Sequence, residues 1–267
     1  MKELHLQKIN HSIKIGNICK DLSPTVTEDT LFIENGEPIG FYLRQTPKKL
    51  SMLIDVANNE LNSPRVPKVV MDRGTRKLTV SKGLNHVQQY SASLGACVPR
   101  AHMRRDYGRT SQLHSVASAK TFIKAMLLAC CEGEILLKQY MPEQYEKQLK
   151  LVQENVPKKY QLTNLFTSSI SNFNIAAPYH QDRGNLKGCV NLIFSKKQDA
   201  RGGRLHIPDY DAVIDNLDGS MLAYPAWRNM HGVTPITPTT EHGYRNSLVF
   251  YSINGLQKFM EEKNAAT

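Results

Sequence analysis

The sequence predicts an α+β fold in which a jelly-roll of short strands fills the C-terminal part, supported by helices and by short strands from the N-terminal part. Three observations carry this reading. Apolar residues recur with helical spacing between 111 and 155; beyond Pro157 the texture changes to short apolar runs at regular intervals with turn residues between them; and Asn35-Gly36 sits between two apolar runs. A chain of 267 residues is long enough to bury a substantial core.

Taken in order, "TLFIENGEPIGFYL" (30–43) reads as a hairpin, because Asn-Gly supplies the positive φ angles of a tight two-residue turn. A helix is expected over 48–61. The stretch "GACVPRAHMRRDYGRTS" (95–111) has no periodicity and reads as a basic loop carrying Arg100, Arg104, Arg105 and Arg109. Ser111 is placed to cap the helical region, whose apolar residues run from Val116 through Leu137 and then from Tyr145 through Val152, with Pro142 separating two helices. Within it, "FIKAMLLACC" (122–131) is interrupted by Lys124 and reads as a buried helix. Strands are expected at 164–175, 187–195, 203–207, 212–214, 220–224, 229–234 and 245–253, the pattern of a sandwich or jelly-roll barrel. The chain therefore divides into N-terminal strands and basic loop (1–110), supporting helices (111–156), jelly-roll core (157–255) and a tail (256–267) whose end, "EEKNAAT", is expected to fray. All of it, 1–267, is read as a single domain.

Composition removes several classes of function. With 40% apolar and 22% charged residues the chain is neither disordered nor membrane-spanning, since no apolar run approaches the length a bilayer requires. The start, "MKELHLQKINHSIKIGN", lacks the apolar core of a signal peptide, so a soluble intracellular protein is expected: cytoplasmic in a bacterium or phage-infected cell, nuclear in a eukaryote. Five cysteines with no CxxC spacing fit free thiols better than a disulfide framework or zinc knuckle. The net charge of +10 favours a polyanionic partner.

The chemistry begins at "PYHQDRGN" (178–185). In an extended segment residues two apart share a face, so His180 and Asp182 can present two ligands to one metal. A third ligand comes from His231, near the start of a late strand. His206 and His242 compete for that place, but only His231 precedes an arginine, Arg245, by a full strand and turn. Two histidines and one carboxylate on one face of a metal suit non-haem Fe(II) oxygenases. An arginine opposite can hold the distal carboxylate of 2-oxoglutarate through paired hydrogen bonds.

"HQDRGN" (180–185), "HGVTP" (231–235) and "RNSLVFY" (245–251) together resemble the iron- and cosubstrate-binding motifs of the TET/JBP dioxygenases, which oxidise the 5-methyl group of pyrimidines in DNA. The resemblance spans about residues 165–255 and implies a double-stranded β-helix core. It further implies that His180, Asp182 and His231 bind Fe(II), that Arg245 and Ser247 bind 2-oxoglutarate, that O2 is the oxidant, and that Asn185 hydrogen-bonds the flipped base while Tyr251 stacks on it. The absence of a cysteine-rich zinc region places the chain nearer the compact microbial or viral members. TET-like sequences carry a cytosine-recognising histidine two residues after the tyrosine, where this chain has Ile253.

The expected activity is hydroxylation of 5-methylcytosine in DNA to 5-hydroxymethylcytosine, with DNA containing a 5-methylpyrimidine as partner and no membrane involved. Thymine in DNA is the alternative base, and a protein, RNA or nucleotide the alternative substrate of the same oxygenase chemistry. A catalytically silent DNA-binding module and a zinc hydrolase are the rivals from other classes; the complete set of iron and cosubstrate residues argues against the first, and the second would not need Arg245. The oligomeric state is left open.

Overall fold

The computed structural model of the protein describes residues 1–73, 89–97 and 109–260. Arg100, Arg104, Arg105, the side chain of Arg109 and the stretch 261–267 lie outside the described residues. The N-terminal part supplies β1 (Lys2–His5), β2 (Thr30–Glu34) and β3 (Glu37–Leu43), then helix α1 (Lys48–Leu61), followed by β4 (Asp72–Arg73), β5 (Tyr90–Cys97) and β6 (Arg109–Thr110). Helices α2 (Lys120–Tyr140) and α3 (Pro142–Asn155) follow. The C-terminal part holds β7 (Ser168–Phe173), β8 (Asn191–Gln198), β9 (Ala200–Gly202), β10 (Leu205–Ile207), β11 (Ala212–Ile214), β12 (Met221–Tyr224), β13 (Gly232–Val233), β14 (Ile236–Pro238) and β15 (Tyr244–Tyr251).

The strands form a large sheet, in the order β1-β2-β3-β12-β8-β15-β7-β5-β4 with β6 on β5, facing two small ones, β11-β10-β13 and β14-β9. This is the jelly-roll core. Its strands come from both ends of the chain, because β3 pairs with β12 in antiparallel register and β1 runs parallel to β2. The β2–β3 hairpin turns through Asn35 and Gly36 at φ 53° and 84°, as the dipeptide predicts.

Period-two alternation sorts the central strands. Leu192 and Phe194 of β8, with Leu248 and Phe250 of β15, face outward and pack under Phe122 and Met126 of α2 and Leu50 and Ile54 of α1. Each such fully buried side chain stabilises the fold by about 1.5–3 kcal/mol. Helix α2 can lie this close to the sheet because position 133 is glycine, where a Cβ would sit 2.7 Å from the Phe194 ring. The alternate residues, Ile193 and Leu222 among them, turn inward toward Leu205, Ile207 and Ile214 of the small sheet.

Two expectations need correction. Ser111 does not cap a helix: its side chain makes no capping bond, two short 3-10 turns at Gln112–Ser115 and Ala117–Ala119 follow, and α2 begins only at Lys120. Val116, extended at ψ 105°, breaks the run between them. The strand expected over 229–234 is ordered as β13 only at Gly232–Val233, preceded by an isolated bridge at His231. The boundary at Pro142 stands, with proline in the first turn of α3. Cys19, Cys130, Cys131 and Cys189 are free thiols, and among the described residues no helix is long and apolar enough to cross a membrane.

Candidate metal and cosubstrate site

His180 and His231 face each other on adjoining extended segments and exchange both backbone hydrogen bonds, at 2.8 and 2.9 Å. In such a pair both side chains leave the same face, and the ring centroids lie 4.3 Å apart. Asp182 follows two residues after His180, held by its N–H to the carbonyl of Ala226 and by a turn in which the Asn185 N–H returns to the Asp182 carbonyl at 2.9 Å. Its Oδ1 lies 3.5 Å from His180 Nε2 and 3.9 Å from His231 Nε2. One ligand atom from each of the three lies within 4.8 Å of the others, and among the described residues no other His, Cys, Asp or Glu group does this.

The surroundings prepare these atoms for a cation. His180 Nδ1 sits 2.8 Å from the Pro178 carbonyl and His231 Nδ1 3.1 Å from that of Asn229. A carbonyl only accepts, so each Nδ1 carries a hydrogen, and in the neutral ring each Nε2 is left to present a lone pair to a cation, in His180 in place of its contact with Asp182. Burial holds His231 down at about 4, which keeps it neutral. The hydrogen bond to Asp182 raises His180 against the effect of burial. Burial pushes Asp182 up, but the bond to His180, the two imidazoles and Asn191 outweigh it and hold the carboxyl below its ordinary value. A charged carboxylate beside a neutral imidazole is a donor set that fits Fe(II).

The other oxygen of Asp182, Oδ2, accepts from Nδ2 of Asn191 at 3.1 Å and from Nδ2 of Asn185 at 3.4 Å. The same Nδ2 of Asn185 donates to Asn191 Oδ1 at 2.9 Å. Sequence reasoning missed Asn191. Its one signal was its place at the start of β8, two residues before inward-facing Ile193.

Arg245, Ser247, Val249 and Tyr251, alternate residues of β15, line one cavity of about 570 Å³ together with the three ligand residues, Asn185 and Asn191. Arg245 is 2% exposed, pairs with no carboxylate among the described residues, and leaves its Nε without a partner. Burial lowers its guanidinium to about 10, still charged at neutral pH. A buried cation without a counter-ion is costly unless an anion arrives from outside, and a dicarboxylate cosubstrate supplies one. The site is built for this residue. Asn174, at φ 54°, takes the Arg245 N–H on its side-chain oxygen and returns its own N–H to the Arg245 carbonyl. Gly203 leaves the space beside the arginine stem, where a Cβ would lie 3.1 Å from Cγ.

Ser247 is buried two residues along the same face. Tyr251 is half-buried, and burial pushes its phenol up to about 12, with Cys97 and Asp182 adding to the effect. Tyr224, also missed, stands edge-on to His231 with its hydroxyl buried and without a hydrogen-bond partner among the described residues. The competing histidines lie elsewhere: His206 Nδ1 meets the Tyr179 hydroxyl at 2.6 Å, and His242 is exposed beside Glu241. Ile253 packs with Val152, Leu186 and Leu256 rather than on the cavity.

Fold and cofactor chemistry together define an Fe(II)- and 2-oxoglutarate-dependent oxygenase, an oxidoreductase that consumes O2. Residues 104–254, more than half of the chain, match the Tet_JBP model, the oxygenase domain of the 2OGFeDO superfamily, and the chain belongs to that family. Among solved structures it is similar to NgTET1 in complex with 5mC DNA, at 14% identity and TM-score 0.59 over 94% of this chain and 90% of that one. It is also similar to a 2OG-Fe(II) oxygenase family protein from Caulobacter crescentus, at 11% identity and TM-score 0.48 over 85% and 89% of the two chains. No curated protein sequence matches it.

Proposed function

We propose that this enzyme hydroxylates the 5-methyl group of a pyrimidine in DNA, converting 5-methylcytosine to 5-hydroxymethylcytosine, with thymine in DNA as the alternative target. The observation that carries the reading is the single cavity in which Arg245, buried and without a counter-ion among the described residues, and the ring of Tyr251 border the His180–Asp182–His231 cluster. A net charge of +10 supports a polyanionic substrate, as does the fold shared with NgTET1.

In this reading His180, Asp182 and His231 hold the iron, which when bound supplies the oxidising power for breaking a methyl C–H bond. Arg245 takes the distal carboxylate of 2-oxoglutarate, with Ser247 beside it donating a hydroxyl. Ile170, Ile193 and Val249 line the cavity and keep water from the reacting methyl group. The methyl carbon of a stacked base cannot reach this depth, so the nucleotide is turned out of the helix. Stacking on Tyr251, about 1–3 kcal/mol, offsets part of the unstacking cost, and Asn185 meets the edge of the base. We take the whole chain, 1–267, as one dioxygenase domain, because β1, β2 and β3 extend the same sheet that carries β8 and β15.

Incubation with cytosine-methylated and unmethylated DNA, Fe(II), ascorbate and 2-oxoglutarate, followed by nucleoside mass spectrometry, tests the proposal. A hydroxymethylpyrimidine is expected; its absence from every DNA substrate contradicts it.

A further inference from the structure

The three side chains Asp182, Asn191 and Asn185 form a chain of hydrogen bonds whose direction is fixed at one end. A carboxylate only accepts, so Asn191 must turn its NH2 group toward Asp182 Oδ2, at 3.1 Å. Its carbonyl oxygen is then the atom left to meet Asn185, which must answer with its own NH2, at 2.9 Å, and reach Asp182 Oδ2 with the same group at 3.4 Å. Reversing the Asn185 amide would set its oxygen against two acceptors at once. The consequence lies at the far end of the chain. Asn185 Oδ1 accepts no hydrogen bond from the described residues, it is not sealed from solvent, and the residue lines the cavity.

That oxygen has a defined counterpart if the substrate is a 5-methylpyrimidine, and the inference rests on that reading. The C5-methyl group must face the metal ligands. Of the two ring positions beside it, C4 and C6, only C4 carries a polar group, so we set C4 on the side of Asn185, the polar residue bonded to the carboxylate ligand. Cytosine carries an amino donor at C4 and thymine a carbonyl acceptor. An outward Oδ1 pairs with the first and repels the second. Of the other polar groups nearby, Gln181 Nε2 donates to the Arg228 carbonyl at 3.0 Å and Arg183 Nε to Gln181 Oε1 at 3.3 Å.

We propose that Asn191 is a positioning residue with two effects: it holds Oδ2 of Asp182 away, so that Oδ1 alone faces the metal, and it fixes the Asn185 amide so that the pocket prefers the amino-bearing 5-methylcytosine to thymine.

The test uses the full-length enzyme and matched duplexes whose target base is 5-methylcytosine, thymine or 5-methylpyrimidin-2-one, the last lacking any C4 substituent. Wild type is expected to prefer 5-methylcytosine to either by about tenfold or more, the effect of leaving one buried acceptor unpaired. Asn191→Leu, with Asn191→Ala as a second variant, is expected to pull the 5-methylcytosine-to-thymine ratio toward one, because the Asn185 amide then loses its 2.9 Å bond, keeps only the longer one to Asp182 at 3.4 Å, and turns more readily to offer either end. Fe(II) affinity, titrated without substrate, should fall about 10–100-fold in the same variants. A merely structural Asn191 would slow both substrates equally and keep the ratio, which would overturn the proposal. If neither variant folds, the wild-type comparison decides: equal turnover of 5-methylcytosine and 5-methylpyrimidin-2-one, or a preference for thymine, would overturn it while leaving the proposed function standing. Turnover of none of the three duplexes would instead remove the proposed function itself.

Discussion

His180 and His231 are joined through their backbones, His180 N–H to the His231 carbonyl at 2.8 Å and His231 N–H to the His180 carbonyl at 2.9 Å. Two residues distant in sequence thereby acquire a fixed separation before any ion binds. The metal geometry rests on the sheet rather than on flexible loops, and Asp182 completes it through a short turn whose carboxylate is held by two amides.

Replacing Asp182 with alanine should therefore do two things. Iron binding and turnover should be lost, and the protein should also lose about 1–3 kcal/mol of stability, because the buried NH2 group of Asn191 loses its acceptor and that of Asn185 keeps only Asn191 Oδ1. Denaturant unfolding of the metal-free protein checks the second effect. An unchanged midpoint would show that the amides re-pair without cost.

Arg245→Met should behave in the opposite way. Removing an arginine that is 2% exposed and has no acidic partner among the described residues relieves a buried charge, so the metal-free variant should be as stable as wild type or more so. Binding of 2-oxoglutarate should weaken by about 2–5 kcal/mol, since a desolvated charge pair is lost. Calorimetric titration and thermal melting read the two quantities separately. A strong destabilisation with cosubstrate binding intact would show that Arg245 is structural.

Much of the fold and part of the site were legible in the sequence, for physical reasons that differ by residue. The Asn35-Gly36 turn, helix 48–61 and the break at Pro142 follow from local backbone chemistry, and local chemistry is what a sequence displays. A strand was legible over 245–253, but that Arg245, Ser247, Val249 and Tyr251 share the face on the cavity became visible only in the structure. His231 could be preferred to His206 because it shares a spacing with Arg245. Asn191, Asn174 and Tyr224 could not be found this way, since their roles depend on contacts across the fold and asparagines and tyrosines carry no distinctive pattern. The start of α2 was misplaced for a related reason: Val116 extends the apolar periodicity in sequence while its backbone leaves the helix.

The packing of α2 on the sheet gives a prediction away from the site. Gly133→Ala gains about 1 kcal/mol of helix propensity, but its Cβ would stand 2.7 Å from Cζ of Phe194, a ring with no exposed surface to move into. Overpacking of this kind costs about 1–3 kcal/mol, so a net loss of stability is expected. A higher melting temperature in the alanine variant would mean that the helix and sheet separate more easily than their contacts indicate.

His206 predicts a pH dependence. Burial holds it below its ordinary value, and the groups facing it are the Tyr179 hydroxyl, Asp211, and the more distant charge of His11. The folded protein therefore keeps it neutral while the unfolded chain takes up a proton as pH falls through 6.5. Its contribution is fully present above that pH and is lost below it, by at most about 1.4 kcal/mol per pH unit. Unfolding free energies measured from pH 7.5 down to 5, values chosen to bracket that pH at about one unit or more either side, should decline less steeply in His206→Gln than in wild type. Parallel curves would exclude His206 as a contributor.

The central claim is that the cavity bordered by Tyr251 and Arg245 oxidises a 5-methylpyrimidine in DNA. Nucleoside mass spectrometry of methylated DNA after incubation with the enzyme addresses it most directly. 5-Hydroxymethylcytosine should form, require both Fe(II) and 2-oxoglutarate, and vanish in His231→Ala. An iron-loaded enzyme that binds 2-oxoglutarate yet yields no hydroxymethylpyrimidine from either methylated cytosine or thymine in DNA would contradict the account.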